Sequence, residues 1–191
     1  MSGGGAQAPG DGRAPGRKRR EPDDERARAY DASLRLLAAR ARSRSELADR
    51  LHRKGYGESV VAALLDDLER AGLLDDADFA SQWVYFRHRD GARSRRALGA
   101  ELRDKGVDAD VIDDALSQIT DDDEYARAGA LIRRTLARRG QPSADDADAV
   151  RRAQRRLLGM LARKGYGAEL AHSVVTDEWS AARGNEQAGA D

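Results

Sequence analysis

The 191-residue chain is predicted to be all-α: three tandem three-helix repeats in an elongated, curved, solenoid-like array, with disordered N- and C-terminal tails. Three observations predict this. Apolar residues recur at spacings of three and four, as in Leu34, Leu37 and Ala38, then Leu47 and Leu51, then Val61, Leu64, Leu65 and Leu68, and no run alternates with period two. Proline, which breaks a helix interior, occurs at positions 9, 15, 22 and 142 and nowhere between 23 and 141. One pattern occurs three times: Ser43-x3-Leu47-x3-Leu51-x2-Lys54-Gly55, Ser94-x3-Leu98-x3-Leu102-x2-Lys105-Gly106 and Ala153-x3-Leu157-x3-Leu161-x2-Lys164-Gly165. The chain has four lysines against thirty arginines, so three lysines at one motif position are not an accident of composition.

The elements follow in order. Residues 1–22, rich in Gly, Pro and Ala and ending in Arg17, Lys18, Arg19 and Arg20, have nothing to bury and read as a disordered basic arm. Each repeat then pairs a motif helix with a helix before and a helix after it, giving units over 23–74, 75–120 and 121–180, and a disordered tail over 181–191. Ser43, Ser94 and the acidic clusters at Asp75 and Asp121 supply side-chain oxygens where helices should start. Gly55, Gly72, Gly91, Gly106, Gly140 and Gly165 stand where they should stop. The stripe Phe79, Trp83 and Phe86 is expected to be core, anchoring the second unit against the first. Tyr56 and Tyr166, each in a Lys-Gly-Tyr-Gly turn, suit either packing beneath the turn or stacking on a partner.

Composition narrows the function. Charged residues make up 36% of the chain, against about 25% in an average soluble domain, which favours small helical units with exposed faces. Without cysteine there is no disulfide, thiol nucleophile or thiolate metal site, and His52, His88 and His172 are too scattered for transition-metal chemistry. No phosphate loop, H-E-x-x-H or G-x-S-x-G pattern occurs, so no catalytic, cofactor-binding or metal residues are assigned and an enzyme is not expected. Neither a signal-peptide core nor a run of about 18 apolar residues is present, which points to a cytoplasmic protein without a membrane partner.

The zero net charge conceals a division. Middle helices are basic: Arg44, Arg50, Arg53 and Lys54 outnumber Glu46 and Asp49, Arg95, Arg96, Arg103 and Lys105 outnumber Glu101 and Asp104, and 152–164 holds only cations. Third helices are acidic, as in Asp108, Asp110, Asp113 and Asp114. Stacked units would set basic helices at intervals along one side, unless neighbouring helices simply pair their charges. The lysines also suit the negative end of a helix dipole, a purely structural role. As contacts to an acidic partner or to DNA, the candidates are Arg44, Arg53, Lys54, Arg95, Arg96, Arg103, Lys105, Arg155, Arg156, Arg163 and Lys164.

The stretch Leu68-Glu-Arg-Ala-Gly-Leu-Leu-Asp-Asp-Ala-Asp-Phe-Ala80, with Trp83-Val84 and Arg87, followed by Ser94-Arg-Arg-Ala-Leu-Gly-Ala-Glu-Leu-Arg-Asp-Lys-Gly106, resembles the RecX family, bacterial regulators of the RecA recombinase. The similarity spans roughly residues 25–180; the arm before Asp23 and the Gly140–Asp148 insertion lie outside it, and the third repeat matches less well than the second. The resemblance implies a non-enzymatic regulator that binds RecA and its filament on DNA; the chain is expected to be a monomer, with a weak direct contact to DNA. It implies restraint of recombinase, ATPase and co-protease activity in DNA repair, homologous recombination and the SOS response. The alternative is an autonomous, non-sequence-specific DNA-binding module, supported by the basic arm and the basic middle helices.

Overall fold

A computed structural model describes residues 20–188, with side chains described over 23–184. Among the described residues there are nine helices and no strands: α1 Arg20–Ala39, α2 Arg44–His52, α3 Glu58–Arg70, α4 Asp76–Arg89, α5 Arg95–Asp104, α6 Ala109–Leu116, α7 Asp121–Arg139, α8 Ala147–Lys164 and α9 Ala168–Ala188. The arm expected over 1–22 lies outside the described residues up to 19, and its last three residues form the first turn of α1, where Pro22 costs little. At the other end α9 continues beyond residue 180, and 189–191 lie outside the described residues.

The helices pack in threes, and each trio has its own core. Leu47 and Leu51, Leu98 and Leu102, and Leu157 and Leu161 occupy matching places in the three cores. Leu51, Leu102 and Leu161 are wholly buried, each contributing about 1.5–3 kcal/mol relative to an exposed side chain. After each second leucine the chain turns in the same way. The amides of Tyr56, Val107 and Tyr166 donate to the carbonyls of Leu51, Leu102 and Leu161, and the intervening glycine takes positive φ: +88° at Gly55, +69° at Gly106 and +96° at Gly165. Tyr166 is thereby packed beneath its turn and buried, while Tyr56 is half-buried, its hydroxyl donating to the Arg28 carbonyl at 3.2 Å.

Three expectations need correction. Phe86 is 55% exposed and stacks edge-on with Tyr85; the inner face of α4 is Phe79, Ala80, Val84 and His88, and Phe79 belongs to the core of the second unit rather than to a joint with the first. Leu34 faces outward and Ala38 is exposed, because α1 seats its small residues Ala29, Ala32 and Ser33 against α3. Gly91 has no positive φ; the left-handed residue after α4 is Ala92, at φ 47°. The other cap positions agree within two residues: Gly55 lies two beyond Arg53, the C-cap of α2, and α7 is capped by Thr120, which forms a reciprocal box with Asp123.

Successive units are joined through the middle helices, end to end and in reverse order. The C-terminal turn of α5 meets the N-terminus of α2: Ser43 Oγ, which caps α2, donates to the Lys105 carbonyl at 2.6 Å, and Asp76 of α4 accepts from the Arg44 amide at 2.7 Å. The C-terminal turn of α8 meets the N-terminus of α5 likewise. There the Ser94 amide donates to the Lys164 carbonyl at 3.0 Å, and Glu124 of α7 accepts from the Arg95 amide at 2.8 Å. Carbonyls left over at one helix end thus satisfy donors at another, and the dipoles align head to tail.

Gly165 sits in the second joint so closely that a Cβ would lie 2.5 Å from the Ala97 Cβ, whereas a Cβ on Gly55 would meet nothing within 4 Å. Gly55→Ala and Gly165→Ala carry the same backbone penalty of about 1–2 kcal/mol. Gly165→Ala should cost about 1–3 kcal/mol more through overpacking, read as a lower midpoint in denaturant; equal midpoints would contradict the joint.

Candidate functional site: an arginine-lined cleft beside the unit joints

The joints account for many of the basic residues predicted to face a partner. Lys105 Nζ lies 2.7 Å from Glu46 Oε1 and 4.1 Å from the centre of the Trp83 ring, so it bridges the first unit and the aromatic face of α4. Lys164 Nζ donates to the Gly91 carbonyl at 2.7 Å, and Arg96 Nε to the Gly165 carbonyl at 3.0 Å. Arg44 pairs with Asp66 and Glu69, both at 2.6 Å, and Arg95 with Asp121 and Glu124. These five residues are placed by the fold itself. Reversing Arg95 or Arg96 would disturb the second joint as well as any external contact. Arg53 makes an exposed pair with Asp49 at 3.5 Å, a geometry worth little. Lys54 and Arg103 are exposed and form no ion pair among the described residues.

Carboxylates at the joints are strongly ionised. Burial opposes the charge on Glu46, but hydrogen bonds from Arg40 and Lys105 outweigh it and lower its pKa from 4.5 to about 2. Glu101 behaves alike: burial raises its pKa, and hydrogen bonds from Arg87, Arg93 and the Trp83 indole bring it below the ordinary value. Asp76 differs, because burial dominates the Arg44 amide bond and raises its pKa.

Arg155, Arg156 and Arg163 are brought together elsewhere, on one exposed side of the third unit. In the first two units the opening helix packs on the middle one; in the third, α7 and α8 both pack on α9 and diverge from each other, meeting near Thr135 and Met160. Between them opens a cleft of about 1190 Å³. Leu131, Leu136, Leu157, Met160 and Trp179 line its apolar part; Arg134, Arg138 and Arg139 of α7 face Arg152, Arg155, Arg156 and Arg163 of α8 across it. None of these seven arginines pairs with a carboxylate among the described residues. The Gly140–Asp146 connection closes one end, held by Gln141, whose amide donates to the Trp179 carbonyl at 2.9 Å and accepts from Arg183.

Arg134, Arg138, Arg139 and Arg152 were not among the residues singled out from the sequence. The sequence does carry a signal for them: two Arg-Arg pairs at 133–134 and 138–139 in the second half of α7, with no acid in that half to neutralise them. Attention to middle helices alone overlooks it. Chemically, an open cleft lined by unpaired guanidinium groups over an apolar floor can hold a polyanionic or acidic surface. Among the described residues there is no cluster of His, Asp and Glu suited to a metal, and no helix is long and apolar enough to cross a membrane.

These features define an all-helical repeat protein with an arginine-lined cleft. Comparison with known proteins specifies the kind. Residues 29–68 match the first three-helix domain of RecX and residues 75–116 the second. The chain is 50% identical over 154 residues to the regulatory protein RecX of Mycolicibacterium vanbaalenii, covering 81% of this chain and 83% of the relative. It is 51% identical over 160 residues to that of Mycobacterium avium, covering 84% and 88%. The crystal structure of RecX from Lactobacillus salivarius superposes with a TM-score of 0.69 at 21% identity, over 82% of this chain and 97% of that one, a likeness of fold. A second crystal structure of regulatory protein RecX gives 0.66 at 26% identity, over 81% and 73%. The chain belongs to the RecX family of regulatory proteins.

The Glu46 carboxylate provides a pH test of the first joint. A depressed pKa contributes stability that is complete above 4.5 and lost as pH falls towards 2. Glu46→Gln should therefore melt below the wild type at neutral pH, and the gap should close between pH 4.5 and 2; a gap independent of pH would assign the loss to packing.

Proposed function

We propose that this protein binds the RecA recombinase and its filament on DNA and restrains recombinase, ATPase and co-protease activity. The observation that carries this reading is identity of about half over more than four-fifths of the chain to regulatory RecX proteins. The architecture supports it: three units in a row suit an extended surface spanning several protomers better than a single small ligand. The cleft of the third unit supplies the adhesive charge, engaging acidic side chains or the phosphates enclosed by the filament. On this reading the protein works by occupancy in the cytoplasm, with no catalytic step of its own.

The unpaired arginines favour one second reading, autonomous binding of DNA. Phosphate neutralisation by arginine yields affinity without sequence readout and falls steeply with salt. The DNA-dependent ATPase of the cognate RecA, titrated with this protein at fixed single-stranded DNA, separates the two. A filament regulator inhibits below one molecule per protomer and continues to do so with DNA in excess; a competitor for DNA loses its effect as DNA is added.

Replacing Arg152, Arg155 and Arg156 together by Glu alters exposed positions and should leave helix content unchanged. Inhibition should weaken at least tenfold, about 1.4 kcal/mol of binding, measured as the concentration giving half-maximal ATPase inhibition. Unchanged potency would remove the cleft from the interface.

A further inference from the structure

The joint between units is made twice inside the chain, and the first unit carries its parts a third time with no helix among the described residues seated on them. At both internal joints the same three groups receive a helix N-terminus. A lysine carbonyl ends the middle helix, at Lys105 and Lys164. A positive-φ glycine follows, against which small first-turn residues of the incoming helix lie, Ser45 on Gly106 and Ala97 on Gly165. A carboxylate from the opening helix, Asp76 or Glu124, accepts the first amide of that helix. In the first unit Lys54 and Gly55 repeat the turn, in the same backbone conformation and exposed. Glu25 stands as far before Lys54 as Asp76 stands before Lys105, and one of its oxygens already accepts from the Gly57 amide of the turn at 2.8 Å. Among the described residues no helix N-terminus occupies this end, and a Cβ built on Gly55 points into open space.

We infer that the Lys54–Gly55 turn, with Glu25, is a docking surface for the N-terminal end of an exposed helix on a partner protein. The internal joints specify the chemistry of that helix: a Ser or Thr cap to bond the Lys54 carbonyl, as Ser43 bonds Lys105, and small residues in the first turn to lie on Gly55. An acid in that turn pairs with the Lys54 ammonium, as Glu46 pairs with Lys105. A second copy of this chain does not fit the same way. The position in α8 that matches Ser43 and Ser94 is Ala153, inside a helix that begins at Ala147 after the Asp146 cap. The overhang of about 10 Å would hold an approaching turn away.

The inference rests on the proposed function for its partner, the RecA filament on DNA, and the test separates the two. Wild type, Lys54→Glu and Gly55→Asn are titrated onto RecA filaments on single-stranded DNA, onto bare single-stranded DNA, and by sedimentation without a partner. Asparagine tolerates positive φ and adds bulk where the helix would sit; circular dichroism checks that both variants remain helical. Both variants should bind the filament at least tenfold more weakly than wild type, with bare DNA unaffected. Amides of residues 55–57 should become protected from hydrogen exchange in the wild-type complex; that measurement stands even if Gly55→Asn unfolds. Filament binding equal to wild type, without protection, overturns the docking surface and leaves the regulator reading in place. An equal loss on bare DNA makes Lys54 a phosphate contact, and self-association abolished by Lys54→Glu makes the occupant a second copy; either overturns the inference. Failure of the wild type to bind filaments removes the regulator reading and this surface with it.

Discussion

The array depends on how the ends of its middle helices are satisfied. A short helix such as α2 or α5 leaves amides at one end and carbonyls at the other with no partner inside the helix. Here the Lys105 carbonyl that ends α5 accepts from the Ser43 hydroxyl that caps α2, and the Lys164 carbonyl that ends α8 accepts from the Ser94 amide at the start of α5. This single arrangement explains the motif. Serine caps one helix and, in the first joint, also bonds the next; glycine turns the chain where a side chain would collide; and the leucines fix the turn to the core. The lysine serves the joint in two ways, reaching Glu46 and the Trp83 ring in one case and the Gly91 carbonyl in the other. Substituting the serine, glycine or lysine of a joint acts on two units at once.

The repeat, the helix class and nearly all helix starts were legible because they are local: periodicity and capping chemistry are written within a few residues. The joints were not, because their partners are distant in sequence. Nothing near Lys105 announces Glu46, and Asp76, readable as one more residue at a helix start, is needed by the amide of Arg44. Phe86 misled for a related reason. Its spacing from Phe79 and Trp83 fits an apolar stripe, but α4 turns Val84 and His88 inward, while the Trp83 ring is covered by Lys105 and Arg87. Charge segregation was legible as composition, yet composition cannot distinguish a guanidinium paired across a joint from one left facing water.

That distinction separates the units. In the first two, Arg44, Arg87, Arg93 and Arg95 are matched with carboxylates, while Lys54 and Arg103 face outward without one among the described residues. In the third, α7 and α8 are both long and diverge, and the arginines between them keep their charge for something outside. The third unit is nearly neutral as a whole, with eleven basic against ten acidic residues over 121–180, so its cleft arginines are a local surplus that net charge conceals.

The two ends of the array consequently differ in kind. The first unit ends in a turn shaped like the joints but holding no helix among the described residues; the third ends in an extended α8 and a cationic cleft. A molecule with such unlike ends has a direction. Direction comes from the ends, and the joints between successive middle helices set the distance between them.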